Sequence, residues 1–323
     1  MLFKRPKQET LPGIKPPEKK EKKKERKKGS RWPIVGLFIF TVLASLVFYL
    51  KTEAPKVWQR ITAPIVISTL PEEKRFEPSS VLAEIESLSQ NLSGTYGLYV
   101  YRFKDENKYG LHQNEVFPAA SLIKLPVILA LYQQAEKGEI NLESKYALVE
   151  GDKVAGVGTL QGQKTGTIYT YRQLAEYMGR NSDNTAFKAM RRILGDEVIE
   201  ETIKNLGMAK TSLKKNETTP QEIGLLFKKL YLGKIVSDKH KEEILGFLTK
   251  TSFEDRIPVG VPEEVRVAHK IGTEINSFSD AGIVFAEEPL VLVIMSKGAR
   301  ESEAKEVLPQ ITRAIWEFEN PSL

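Results

Sequence analysis

The chain has no cysteine and only three histidines among its 323 residues. Without a thiol there is no cysteine nucleophile, no disulfide framework and no thiolate metal site. His112, His240 and His269 are unclustered, so no zinc site is expected. There is no Gly-x-Ser-x-Gly elbow, and the glycine-rich stretch 156–164 is not followed by the Gly-Lys-Ser/Thr of a phosphate-binding loop. Nothing implies a cofactor. The folded part also lacks positive charge. Residues 1–32 hold 13 Lys/Arg against 4 Glu, a net of +9, in a chain whose total is +6, so the rest is close to −3. The basicity belongs to the tail, and no nucleic acid is expected as a partner of the folded domain.

That tail reads KKEKKKERKK over 19–28 and cannot bury a core, so disorder is expected. A nucleic-acid-binding or lipid-binding arm is one reading of it. A topogenic charge cluster is the plainer one, because an uncharged run, Ile34–Leu50, follows directly. As a helix this run is about 25 Å long, close to a bilayer core. Trp32 and Tyr49 stand where interfacial aromatics belong. The positive-inside rule puts the N-terminus in the cytoplasm and the remainder outside. A cleaved signal peptide is the alternative, but Ala54 is followed by Pro55, which argues against cutting there. The expected organisation is a tail (1–32), a membrane-spanning helix (33–50), a proline-containing stalk (51–78) and one folded domain (79–323).

In that domain, Gly97–Lys104 alternates and reads as a strand, with a return over Tyr109–Gln113. Three more strands follow late, Val265–Gly272, Phe278–Ala286 and Leu290–Ser296, the last two split by Glu287-Glu288-Pro289. Helices are expected over Val81–Leu92, capped by Ser79, and over Glu303–Phe318. The middle is helical, with capping boxes at Thr170/Gln173 and Thr219/Glu222, and with Asp196 and Ser237 as caps. These signals predict an α+β fold: a five-stranded antiparallel sheet built from both ends of the domain, flanked by the terminal helices, with an all-helical lobe inserted between.

Ser-x-x-Lys occurs three times, at Ser121/Lys124, Ser212/Lys215 and Ser302/Lys305. Only the first opens a nearly all-apolar helix, LIKLPVILALYQQA. A helix apolar on all sides is buried. Burial lowers a lysine pKa, and a neutral lysine can take the proton of a serine three residues away. The bland reading is a capping serine beside a snorkelling lysine. Ser182-Asp183-Asn184 occurs once; it fits a helix N-cap, and equally a proton relay (Ser182) beside a substrate-binding amide (Asn184). Lys164-Thr165-Gly166 precedes it in a glycine-rich turn and is set aside in favour of Lys270-Ile271-Gly272-Thr273, which ends a strand. Alternation puts Ile271 and Thr273 on one face and Lys270 and Gly272 on the other, and Gly272 permits close backbone approach to a ligand.

In this order the motifs resemble those of the class A β-lactamase-like branch of the penicillin-recognising serine enzymes, whose own signature is Ser-x-x-Lys, Ser-Asp-Asn and Lys-Thr-Gly. The resemblance is carried by FPAASLIKLPVILALY (117–132), GRNSDNTAF (179–187), TTP (218–220), VAHKIGT (267–273) and SDAGIV (279–284). It implies acylation of Ser121 with Lys124 as base or relay. It implies an oxyanion hole from the backbone N–H groups of Ser121 and Thr273, and a positive potential from Lys270 for a substrate carboxylate. The implied partner is a β-lactam or a peptidoglycan peptide ending in D-Ala-D-Ala.

Two departures stand out. The family's hydrolytic glutamate, in a Glu-x-x-x-Asn pattern between Ser-Asp-Asn and Thr-Thr-Pro, has no counterpart in Met208–Glu217, where Glu217 is the only carboxylate. General-base help is worth about 10²–10⁴-fold, so slow deacylation is the expectation, closer to a penicillin-binding D,D-peptidase than to an efficient β-lactamase. Ile271 replaces the usual hydroxyl residue, removing a charge-assisted bond worth about 1.5–3 kcal/mol unless Thr273 compensates. The competing class is a non-catalytic module that binds cell-wall peptides or a division partner; the retained Ser121, Lys124, Ser182, Asn184 and Lys270 weigh against it.

Overall fold

The structure is a computed structural model and describes residues 32–53, 56 and 76–321. The basic tail up to residue 31 and most of the expected stalk lie outside the described residues. The chain divides into two units, residues 1–73 and 74–323.

In the first unit, α1 (Trp32–Thr52) spans 21 residues with mean hydropathy 2.3 and buries no residue. At about 1.5 Å per residue it is long and apolar enough to cross a bilayer. A membrane anchor and a signal sequence both meet that description.

The second unit runs α2 (Ser79–Ser89), β1 (Thr95–Arg102), β2 (Lys108–Tyr109), β3 (Phe117–Pro118), a 3-10 turn (Ala120–Ile123) and α3 (Lys124–Glu136). The lobe continues with β4 (Lys145–Ala147), β5 (Ile168–Thr170), α4 (Tyr171–Arg180), α5 (Asn184–Leu194) and α6 (Asp196–Asn205). Next come β6 (Glu217–Thr218), α7 (Pro220–Tyr231) and α8 (Asp238–Phe247), and the chain closes with β7 (Arg266–Glu274), β8 (Ser277–Phe285), β9 (Leu290–Lys297) and α9 (Glu301–Glu319). The main sheet has the order β2-β1-β9-β8-β7, all antiparallel. Its two halves meet where β1 pairs β9 along its full length, Thr95 opposite Lys297 and Arg102 opposite Leu290. One core lies between the sheet and the helical lobe, centred on α3; the other lies between the sheet and the terminal helices α2 and α9. This is the α+β architecture expected from the alternation at both ends.

Local chemistry sets the departures. The return strand is shorter than Tyr109–Gln113, because His112 takes a left-handed φ of 47° and turns the chain away. Asp196 does not cap α6; Gly195 holds the cap position, and the Asp196 carboxylate is drawn onto the guanidinium of Arg191. Ser79 is the first residue of α2 rather than its cap. Thr170 and Gln173 form the full reciprocal box. At Thr219 only half of one forms: Thr219 accepts from Glu222 N, but the Glu222 carboxylate accepts instead from Lys210 N and Thr211 Oγ1.

Candidate active site

Ser121 lies in the 3-10 turn and Lys124 begins α3. A 3-10 turn has three residues per turn, so residues three apart eclipse. That stacks the ammonium of Lys124 directly over the hydroxyl, Nζ to Oγ 2.8 Å. The turn is held against the end of β7. A Cβ on Gly272 would lie 3.0 Å from Ala119 O and 3.3 Å from both Ala120 Cβ and Leu122 Cγ. The missing side chain at 272 thus makes room for the nucleophile turn. Ala120 sits at φ 46°, left-handed for a residue with a Cβ, the kind of local strain found where surrounding packing fixes a functional group.

Lys124 is 1% exposed. Its Nζ has four oxygens around it: Ser182 O at 2.6 Å, Asn184 Oδ1 at 2.8 Å, Ser121 Oγ at 2.8 Å and Ser182 Oγ at 3.3 Å. Burial pushes its pKa down to about 7, against the opposing pull of Asp183. A neutral amine has two N–H groups and one lone pair. Ser182 O and Asn184 Oδ1 can only accept, so they take the two N–H groups. The lone pair is left for a hydroxyl, and Ser121 Oγ is the nearer. Ser182 directs its carbonyl inward through a left-handed φ of 52°. Between them Asp183 does cap α5, accepting from Ala186 N at 2.9 Å, and it also accepts from Thr159 N at 2.6 Å and Leu160 N at 2.9 Å. In this tripeptide the middle residue caps α5, and its two neighbours face Lys124.

Midway along β7, Lys270 is 2% exposed, and among the described residues its Nζ donates only to the carbonyl of Ile271, at 3.4 Å. Burial, then the neighbouring Lys124, hold it well below the usual lysine range, with Asp280 opposing. An anion beside it would reverse that shift. Ile271 lines the cleft without a hydroxyl, as the sequence implies, but Thr273 is backed by a residue that sequence reasoning missed. Arg256, buried in the segment before β7, donates to Gly272 O at 2.9 Å, Ser279 O at 2.5 Å and Thr273 Oγ1 at 2.6 Å. No local pattern in FEDRIP marks this arginine; only the fold brings it to Thr273.

The cleft has two lobes that share Ser121 and Thr273. One, about 370 Å³, is lined by Lys124, Asn184, Leu213, Lys214, Asn216 and Glu274 among others. The second, about 240 Å³, is lined by Ser182, Arg256, Ile271, Asp255 and Glu301 among others. From the segment 208–217 the lining residues are Leu213, Lys214 and Asn216; Glu217 pairs with Pro118 across β6 and β3. Lys164-Thr165-Gly166 contributes to neither lobe, and the side chain of Thr165 donates to Glu150. In the other two Ser-x-x-Lys pairs serine and lysine do not meet side chain to side chain: Ser212 Oγ accepts from Lys215 N in a turn, and Lys305, which lines the second lobe, pairs with Glu301.

Comparison with known proteins agrees with this geometry. A family model described as the beta-lactamase enzyme family matches residues 80–318. The chain is 25% identical over 236 residues to beta-lactamase CTX-M-97 of Escherichia coli, covering 67% of this chain and 81% of that protein. It is 20% identical over 272 residues to beta-lactamase VEB-1 of Pseudomonas aeruginosa, covering 75% and 91%. The solved structure of PBP-A superimposes with a TM-score of 0.72 at 25% identity, covering 75% of this chain and 97% of that one. A point mutant of PBP-A, solved as an acyl-enzyme complex with penicillin G, superimposes with a TM-score of 0.71 at 25% identity, with the same coverage. With the family model running from α2 to α9 and the fold shared along nearly all of PBP-A, the chain belongs to the beta-lactamase enzyme family, as a serine hydrolase of the class A type.

Proposed function

We propose that this protein is a membrane-anchored, extracytoplasmic acyl-serine enzyme, acylated at Ser121 by β-lactams or by peptides ending in D-Ala-D-Ala, and slow to release the acyl group. One observation carries the reading: the buried Nζ of Lys124 lies 2.8 Å from Ser121 Oγ, with the acceptors Ser182 O and Asn184 Oδ1 at 2.6 and 2.8 Å.

The chemistry follows. Ser121 Oγ bonds to the substrate carbonyl carbon while its proton passes to Lys124 Nζ. The oxyanion is received by the backbone N–H groups of Ser121 and Thr273, as the family resemblance implies. When the C–N bond breaks, the proton moves from Lys124 through Ser182 Oγ, 3.3 Å away, to the departing nitrogen. The substrate carboxylate is received by Thr273 Oγ1 and the Arg256 guanidinium behind it, which supply the donor that Ile271 lacks. Its arrival favours a proton on Lys270. The amide nitrogen of Asn184 serves the acyl side, its oxygen being occupied by Lys124.

Slow deacylation is supported by the stretch 208–217, which lines the cleft with Leu213, Lys214 and Asn216 and places no carboxylate there. The carboxylates lining the cleft come from elsewhere: Glu274 accepts from Asn216 Nδ2 at 3.2 Å, Asp255 lies beside Arg256, and Glu301 pairs with Lys305. PBP-A, whose mutant was solved as an acyl-enzyme with penicillin G, is the precedent for such a species on this fold. Anchoring is supported by the length and composition of α1 and by the basic residues before it.

The test is intact-mass spectrometry of the detergent-solubilised full chain with benzylpenicillin, against Ser121→Ala. An adduct that depends on Ser121 and persists for hours is the expected result. Clearance within seconds would contradict slow deacylation. No adduct at millimolar drug would overturn the enzymatic reading in favour of a binding module on the same fold.

A further inference from the structure

His269 is fully buried and stands between two carboxylates. Its Nδ1 lies 2.8 Å from Asp280 Oδ1, and its Nε2 lies 3.1 Å from Glu254 Oε1. Asp280 is itself fully buried in β8. Its Oδ2 accepts from Ile257 N at 3.0 Å. The pair therefore grips the segment before β7 at two points, Glu254 and Ile257, and Arg256 lies between them. The register explains how the pair forms. His269 is opposite Gly282 and Ile271 is opposite Asp280, so His269 and Asp280 are diagonal neighbours on one face. A Cβ on Gly282 would lie 2.3 Å from Ala268 O and 2.7 Å from His269 Cα and Cβ, so the close approach of the β7 backbone requires glycine at this cross-strand position.

Arg256 leaves this bracket with its guanidinium on Gly272 O, Ser279 O and Thr273 Oγ1. We infer that His269 is a positioning residue for substrate recognition: as an imidazolium shared between Asp280 and Glu254, it clamps the segment 254–257 to the sheet and thereby aims Arg256 at Thr273. The inference rests on the proposed role of Arg256 and Thr273 in receiving the substrate carboxylate.

The protonation state is set by the neighbours. Burial alone would strip the proton, but Asp280 and Glu254 outweigh it and raise the pKa of His269 to about 9. The charged groups around the clamp are Asp280 from β8, Glu254 and Arg256 from the preceding segment, and Lys270 from its own strand; Asp280 also favours the charged forms of Arg256 and Lys270. Above about pH 9 the imidazole becomes neutral, one of its two nitrogens loses its proton, and one carboxylate is left facing a lone pair.

The test measures acylation of the full chain in detergent with benzylpenicillin, separating the limiting rate from the half-saturating concentration. Parent, His269→Asn, Arg256→Ala and the double variant are compared, with benzylpenicillin methyl ester as a probe lacking the carboxylate. Each single variant should raise the half-saturating concentration of the acid about tenfold, from the loss of charge-assisted hydrogen bonding. The double variant should be no worse than Arg256→Ala, and the ester should not distinguish parent from His269→Asn. Additive losses, or an equal loss with the ester, would overturn the inference. An unaffected Arg256→Ala would instead sink the carboxylate-receiving role, which is a separate failure. Should His269→Asn not fold, the parent protein decides: its half-saturating concentration should rise between about pH 8 and 10 while that of Arg256→Ala stays flat. A rise of the same size in Arg256→Ala would contradict the clamp, because it would come from Lys270 instead.

Discussion

Two buried nitrogen bases, Lys124 and His269, are driven in opposite directions by the same protein. Lys124 is pushed down to about 7 and His269 up to about 9. The two are almost equally inaccessible to water. What differs is the company each keeps. Carbonyl and hydroxyl oxygens surround Lys124, and they accept hydrogen bonds without repaying the cost of burying a full charge. Two carboxylates flank His269, and they do repay it. Burial makes a base where the neighbours are dipoles and a fixed cation where they are anions. The first arrangement suits chemistry, the second suits holding a loop.

The largest expected effect comes from the chemical side. Ser121→Ala abolishes acylation outright. Lys124→Met, which keeps the volume and removes the amine, should slow acylation by about 10²–10⁴-fold, read as the rate of adduct formation by mass spectrometry. A loss under tenfold would mean that another group takes the serine proton.

Next is the carboxylate-receiving side. Arg256→Ala should weaken recognition of benzylpenicillin about tenfold or more, and Arg256→Lys should restore only part of it, because an ammonium cannot reach Gly272 O, Ser279 O and Thr273 Oγ1 at once.

The comparison also predicts opposed pH dependences of stability. His269 has a folded pKa above its ordinary 6.5, so its contribution is fully present below about pH 6.5 and is lost as pH rises through about 9. Lys124 has a folded pKa below its ordinary 10.5, so the unfolded chain binds more protons between about pH 7 and 10.5, and stability rises with pH there. Each slope approaches about 1.4 kcal/mol per pH unit at most. Denaturant unfolding from about pH 7 to 9 should therefore show His269→Asn gaining a more positive slope than the parent, and Lys124→Met a more negative one. Parallel slopes in all three proteins would break the comparison.

The smallest effect on acylation should come from Asp183, a carboxylate that favours a proton on Lys124. Asp183→Asn keeps one acceptor for the α5 cap but loses the charge. The midpoint of the acylation pH profile should move below that of the parent, while the amide NH2, set against buried N–H groups that the carboxylate served, should cost about 1–3 kcal/mol in stability. An upward shift would mean that Asp183 acts otherwise.

Much of this was legible in the residues, and the reason differs from case to case. Runs rich in aromatic and β-branched residues at both ends of the domain announced the sheet, whose strands pack against a core on each face. The apolar run after Ser121 announced the burial of Lys124. Ser182 and Asn184 were visible beside a helix cap because the cap and the site share one tripeptide. Arg256 was not legible: it lies in an irregular segment, and only the register of β7 against β8 brings it to Thr273. His269 was not singled out in a strand that also holds Arg266, Lys270 and Glu274, and its proposed role depends on Asp280 on the neighbouring strand. The local caps at Asp196 and Glu222 misled because each carboxylate had a stronger partner in space, Arg191 in one case and Lys210 N with Thr211 in the other.

The central claim is that burial among dipoles leaves Lys124 free to take the proton of Ser121. Its most direct test is the limiting rate of Ser121 acylation by benzylpenicillin as a function of pH, in the parent and in Lys124→Met. The account predicts a rate that climbs with pH through a single ionisation near about 7 and a residual rate in Lys124→Met without that ionisation. A parent rate that is flat from about pH 5 to 9, or an ionisation near about 7 that survives in Lys124→Met, would contradict it.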